Sequence, residues 1–163
     1  MERVSKRNYY LDIAQTVLER ATCLRRVYGA IIVKNDEIIS TGYNGAPRGR
    51  VNCSELGNCN REQLNIPSGQ RYELCRSVHA EANAIISAAR RDMIGGTLYL
   101  VGRDAATGAL LHDTTSCAMC RRMIINSGIT RVVNRIGDDG IEIIDVQNWI
   151  VNDESIQPKA AAE

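Results

Sequence analysis

Between Arg7 and Ala21 the apolar residues Tyr10, Leu11, Ile13, Ala14, Val17, Leu18 and Ala21 recur three and four apart. That spacing, with charge on the opposite side, predicts a first helix ending near Cys23. Two short β-branched runs follow, Ala30–Val33 and Ile38–Thr41, and the polar Lys34–Glu37 between them predicts a hairpin. Gly42–Gly49 reads as a loop, because it mixes residues that tolerate positive φ with a proline that cannot continue a ladder. From 50 to 78 no period holds. His79–Arg91 is predicted as a second helix, with Ala80, Ala84, Ile85, Ala88 and Ala89 on its packing face and Gly95–Gly96 as its stop. Thr97–Val101 reads as a strand, Gly102–Thr115 as a long connection, and Ala118–Asn126 as a third helix ended by Ser127 and Gly128. Met119 and Met123, at helical spacing, read as core. Arg131–Ile136 and Ile141–Val146 complete the strands, and Val146–Asn152 is a last short helix. Strands alternating with helices imply a sheet covered on both faces.

A chain of 163 residues makes one domain, 1–163, with a core large enough to need no staples. Its six cysteines therefore call for another explanation. No apolar run follows the charged start Met1–Arg7, and no stretch approaches the roughly 18 apolar residues of a membrane span. The expected setting is the cytoplasm, where disulfides are rare and clustered cysteines point to metal or catalysis. The net charge of +1 is interspersed, and the aromatics number one Trp, six Tyr and no Phe. That balance offers neither a basic stripe nor a stacking platform for nucleic acid, so the expected partner is a small molecule. The tail Pro158–Glu163 is expected to fray.

The candidate chemistry lies in His79-Ala-Glu81 and Cys117-Ala-Met-Cys120. Cys117 and Cys120, three apart, share a helix face and can grip one ion. His79 and Glu81 would point roughly 200° apart on a regular helix, so Glu81 is not expected to ligate that ion. It reaches a water beside the ion if the pair sits at a helix entrance. One His and two Cys leave the fourth position of a tetrahedral zinc open, which marks a catalytic site. The metalloprotease pattern needs two His at i and i+4, whereas the only histidines are His79 and His112. His112 reads as a surface residue. The remaining cysteines, Cys23, Cys53, Cys59 and Cys75, equal in number a tetrahedral zinc shell, which would pin segment 50–78 to the end of the first helix. The alternative is four buried free thiols.

His-x-Glu followed by Cys-x-x-Cys is the known signature of the zinc-dependent nucleobase deaminases. The chain resembles the deoxycytidylate deaminases of the cytidine deaminase-like superfamily. The resemblance rests on Ser-Thr-Gly-Tyr-Asn-Gly-Ala-Pro at 40–47, Cys-Arg-Ser-Val-His-Ala-Glu-Ala-Asn-Ala-Ile at 75–85, Ser-Cys-Ala-Met-Cys at 116–120 and Ile-Ile-Asn-Ser-Gly-Ile at 124–129. It implies a three-layer α/β/α sandwich around a five-stranded mixed sheet, and hydrolysis of dCMP to dUMP and ammonia with Glu81 moving the protons. It further implies that Asn44 binds the sugar, that the Ala80 amide contacts the pyrimidine O2, and that the Thr115 carbonyl faces the departing amine. For the 5′-phosphate it points first to Arg26 and second to Arg48. It also implies a second, structural zinc, a homohexamer, and regulation by dCTP and dTTP at the Gly42–Gly49 loop. Two departures stand out. Ser116 replaces a proline common in the family, and Gly102–Asp113 is an insertion expected to cap the site. Other readings are a deaminase of another cytosine nucleoside or nucleotide, of guanine or of adenosine in tRNA, or a silent zinc-stabilised regulatory protein. Glu81 argues against the last, since a retired site has no chemical need for it.

Overall fold

The computed structural model describes residues 1–156, so the tail expected to fray lies outside the described residues. The chain runs α1 (Lys6–Val17), β1 (Arg26–Lys34), β2 (Glu37–Tyr43), α2 (Cys53–Leu56), α3 (Asn60–Gln63), α4 (Ala80–Ile86) and α5 (Arg90–Met93). It continues with β3 (Thr97–Asp104), α6 (Ala118–Ser127), β4 (Arg131–Ile136), β5 (Gly140–Asp145) and α7 (Val146–Val151). Ser5 caps α1 by accepting the Asn8 N–H at 3.2 Å. The predicted hairpin closes on Asn35 and Asp36, both at positive φ, which suits a tight turn matched to strand twist.

The strands form one sheet in the order β2-β1-β3-β4-β5. β3 and β4 run parallel, joined by the α6 crossover, and the other pairs are antiparallel. Side chains alternate along β1: Ile31 and Val33 face α1, packing with Leu11, Ala14 and Leu18. Ala30 and Ile32 face the other way, into a cluster with Ala80 and Ala84 of α4, Ile124 of α6 and Val146 of α7. The result is the expected three-layer sandwich. α1 sits close because Gly29 has no side chain; a Cβ there would lie 2.1 Å from the Ala14 carbonyl oxygen.

Three expectations need correction. The second helix ends at Ile86 rather than Arg91, because Ala89 is extended and turns the chain into the separate α5. The turn buries Met93 and lets Arg90 Nε donate to the Asn126 carbonyl at 2.7 Å, a tertiary gain that outweighs the helix propensity of two alanines. The 102–113 insertion does not cap the site. It folds back on β3 as a hairpin, with Asp104 N donating to Ala109 O and Leu111 N to Gly102 O, each at 2.9 Å. Met119 and Met123 are half-buried, lining a surface groove with Ile85 and Ile86 instead of joining the core. Segment 50–78, which shows no period in the sequence, is tied to the rest of the chain by hydrogen bonds. Gly45 and Val78 exchange backbone bonds of 3.2 and 2.7 Å, and Ser54 N donates to Thr22 O. His112 is exposed, as expected. Among the described residues no helix is long and apolar enough to cross a membrane.

Candidate active site

His79 is the N-cap of α4 and Cys117 the N-cap of α6, both with extended backbone. This resolves the spacing problem of His79 and Glu81, since His79 stands just outside the regular helix. His79 Nδ1 lies 3.5 Å from Cys117 Sγ and 3.4 Å from Cys120 Sγ, and the three ligand atoms are within 4.8 Å of one another. Cys117 Sγ also accepts the Cys120 N–H at 3.5 Å, in the manner of a capping side chain. α4 is pinned to β2 by Ser40 Oγ, which donates to Ala84 O at 2.6 Å, and by Asn83 Nδ2, which donates to Tyr43 O at 2.8 Å. The helix approaches β2 closely at Gly42, where a Cβ would lie 2.3 Å from Ala80 O. Arg121 Nε, donating to Ser116 O at 2.9 Å, holds the entry to α6.

Glu81 is 5% exposed beside this trio. Burial pushes its carboxyl above the ordinary range, against hydrogen bonding at its own backbone and the field of His79. The hydrogen bond from Cys120 pulls the Cys117 thiol down to about 4, and donating that same bond, together with burial, pushes Cys120 up. A divalent cation bound here would hold both thiols deprotonated. One imidazole nitrogen and two sulfurs converging with room for a fourth ligand is the donor set of a hydrolytic zinc site.

The cleft over the trio is lined by Tyr28, Asn44, Arg61, Tyr72, Ala80, Glu81 and Thr115, among others. Residues 4–135 match the profile of the cytidine and deoxycytidylate deaminase zinc-binding region. The chain belongs to that family. A deoxycytidylate deaminase of Mycobacterium phage D29 is 37% identical over 138 residues, covering 82% of this chain and 96% of that protein. The deoxycytidylate deaminase of Schizosaccharomyces pombe is 35% identical over 131 residues, 80% of this chain; there the match spans 37% of the longer yeast protein. The dCMP deaminase of cyanophage S-TIM5, solved in complex with dCMP and dUMP, superposes with a TM-score of 0.59 at 26% identity over 83% of this chain and 84% of that one.

Of the contacts expected from the deaminase family, the structure brings Asn44, Ala80, Thr115 and Arg26 to the cleft. Asn44 is already engaged: its Oδ1 accepts Tyr28 N–H at 2.8 Å and its Nδ2 donates to Arg26 O at 2.9 Å. One N–H and one lone pair of the amide stay available. Ala80, the first residue of α4, is fully buried. Arg26 is half-exposed and paired with Asp113 at 3.2 Å. Arg48 is exposed on its loop and does not line the cleft. Cys23, Cys59 and Cys75 line the same cleft, and Cys53 opens α2 nearby, with Arg76 Nη1 3.8 Å from its sulfur. Cys23 and Cys75 each accept a backbone N–H from two residues on, both at 3.4 Å. Among the described residues, only the His79 trio draws its ligand atoms to within 4.8 Å. Sequence reasoning missed Tyr28, Tyr72 and Arg61. Tyr72 packs edge-on against His79, ring centres 4.9 Å apart, and nothing in its aperiodic segment signals this.

Proposed function

We propose that the protein is a zinc-dependent dCMP deaminase, converting dCMP and water to dUMP and ammonia. The observation that carries the reading is a buried, non-ligating carboxyl, Glu81, beside the convergent His79, Cys117 and Cys120 at the floor of a cleft. Those three residues would hold the zinc, which supplies the Lewis acidity that brings the pKa of a water toward neutrality. Two thiolates offset the ion's charge, so a base must assist. Glu81 accepts a proton from the water and passes it to N3 of the pyrimidine while the water oxygen adds at C4. It then takes the proton left on the added oxygen and delivers it to the amine, so that the C4–N bond breaks, ammonia leaves and the C4 carbonyl of dUMP forms. A carboxyl raised by burial is suited to this shuttle, because its carboxylate is a stronger base than a solvated one and takes up the water's proton more readily near neutral pH. The free N–H of Ala80 at the α4 N-terminus faces pyrimidine O2, Asn44 the sugar, and the Thr115 carbonyl the leaving amine.

The four remaining cysteines form a second, structural zinc site in this reading, supported by the paired N–H to sulfur bonds at Cys23 and Cys75 and by the need to tie down segment 50–78. The chain works as a homo-oligomer, a hexamer by resemblance. dCTP or dTTP acting at the Gly42–Gly49 loop would reach the cleft through Asn44, whose side chain binds the β1 backbone. A cytoplasmic setting keeps the six thiols reduced. The deciding assay is ammonia release by the zinc-loaded protein from dCMP, deoxycytidine, cytidine and dCTP in parallel, with Glu81→Ala as the blank. Turnover of dCMP above the others upholds the reading. Preference for an unphosphorylated or triphosphorylated substrate overturns the substrate, and no turnover with zinc bound overturns the enzyme.

A further inference from the structure

Two arginines are buried among the described residues, and they are treated differently. Arg135, 8% exposed, is paired with Asp12 at 2.9 Å and further bonded to Gln15. Arg61, 7% exposed, has no ion pair among the described residues. Its Nη2 donates to the carbonyls of Pro67 and Gln70 at 2.9 and 2.8 Å, while its Nε is buried with no partner. The Tyr72 ring lies 4.5 Å from its Cζ, fixing the guanidinium plane, and the same ring packs on His79. Arg61 thus lines the cleft one tyrosine ring beyond His79, held by two carbonyls and a π face, with the rest of its fork undischarged.

A buried guanidinium without an anion is unfavourable unless an anion arrives from outside. We infer that Arg61 is the residue that binds the 5′-phosphate of the nucleotide and so selects it over the nucleoside. This rests on the deamination reading above. Arg61 fits the role better than the neighbouring cations. Arg26 is shared with Asp113 and Arg25 with Glu62 at 3.1 Å, and both are more exposed. A delocalised guanidinium that stays charged at every working pH suits a phosphate monoester, whose oxygens can accept the N–H donors its two carbonyl bonds leave over. The competing role, a counter-charge to thiolates, has some basis, since the field of Arg61 is felt at Cys75.

Steady-state kinetics of Arg61→Gln with dCMP separate these roles, with zinc content and thermal midpoint measured on the same samples. The expected result is a KM raised about a hundredfold with kcat changed less than about threefold, since the contact is made equally in ground and transition states. Inorganic phosphate competes with dCMP in the wild type and loses that competition in the variant. Should Arg61→Gln fold poorly, Arg61→Lys keeps the charge without the fork, and a KM raised about tenfold is expected. A fall in kcat at unchanged KM, equal phosphate inhibition of both proteins, or loss of bound zinc in the variants would overturn the assignment. A wild type inactive on dCMP sinks the deamination reading as well. A wild type active on dCMP, with variants of unchanged KM, sinks Arg61 alone.

Discussion

At the scale of single residues, the proposed catalysis depends on Glu81 standing beside His79, Cys117 and Cys120 without sharing the ion they would hold. Glu81→Gln keeps the volume and burial but removes the proton carrier. The expected outcome is a kcat lower by about 10²–10⁴ with zinc retained, read from ammonia release and metal analysis. Loss of zinc in this variant would make Glu81 a ligand and refute the assigned role. Cys120→Ala, by contrast, removes a ligand from a fully buried position and is expected to lose both zinc and activity. These residues were legible in the chain because the chemistry fixes their types and the helix starts fix their spacing. Arg61 and Tyr72 were not. Their placement depends on how an aperiodic stretch folds back, and a single arginine or tyrosine in such a stretch looks like any other surface residue. Asn44 was legible as a site residue, but its bonds to the β1 backbone were not, since they depend on the β1–β2 register.

Among elements, the contact that decides the site is α4 on β2. Gly42 faces the backbone of α4, and an added Cβ would meet Ala80 O at 2.3 Å and Ala84 N at 2.4 Å. Backbone atoms cannot swing aside as a flexible side chain can. Gly42→Ala is therefore expected to destabilise by about 1–3 kcal/mol and to lower kcat, because the shifted helix carries His79 and Glu81 with it. Unchanged thermal unfolding and kinetics would show that the two elements do not need this approach. A second inter-element contact has a pH signature. Tyr10 on α1 donates to Asp36 at the β1–β2 turn. That bond, with burial, raises the Tyr10 phenol from 10.0 to about 12. A folded value above the unfolded one means the contribution is complete below pH 10 and is lost as pH rises through about 12. Absorbance titration of tyrosinate should show one group ionising near pH 12 in the wild type and absent in Tyr10→Phe. Five strands and the helices α1, α6 and α7 could be read from period and punctuation. The break after Ile86 could not, because Ser87-Ala88-Ala89 carries no stop signal and the turn is set by Arg90 reaching Asn126 and by the burial of Met93.

For the whole molecule, one surface is out of keeping with the rest. α4 and α6 pack side by side against the sheet, and their outer faces leave a groove lined by Ile85, Ile86, Met119 and Met123, with Ile86 74% exposed. Helical spacing assigned the methionines to the core, whereas they line this surface groove. A continuous apolar groove marks an interaction surface more often than an accident of composition. A second copy of the chain is the occupant that the proposed oligomer supplies. These are also the two helices that His79 and Cys117 cap, so covering the groove would stiffen the proposed metal site from behind. The double variant Ile86→Glu, Met123→Glu places charge on the groove without touching the core. Light scattering is expected to report a smaller species than the wild type, and the thermal midpoint of the zinc-loaded variant is expected to become independent of protein concentration. An unchanged mass in solution would mean that the chain assembles through another face or not at all. If the species shrinks, activity per zinc reports the coupling. A fall in kcat places the partner's packing in the rigidity of the site, whereas an unchanged kcat confines assembly to stability.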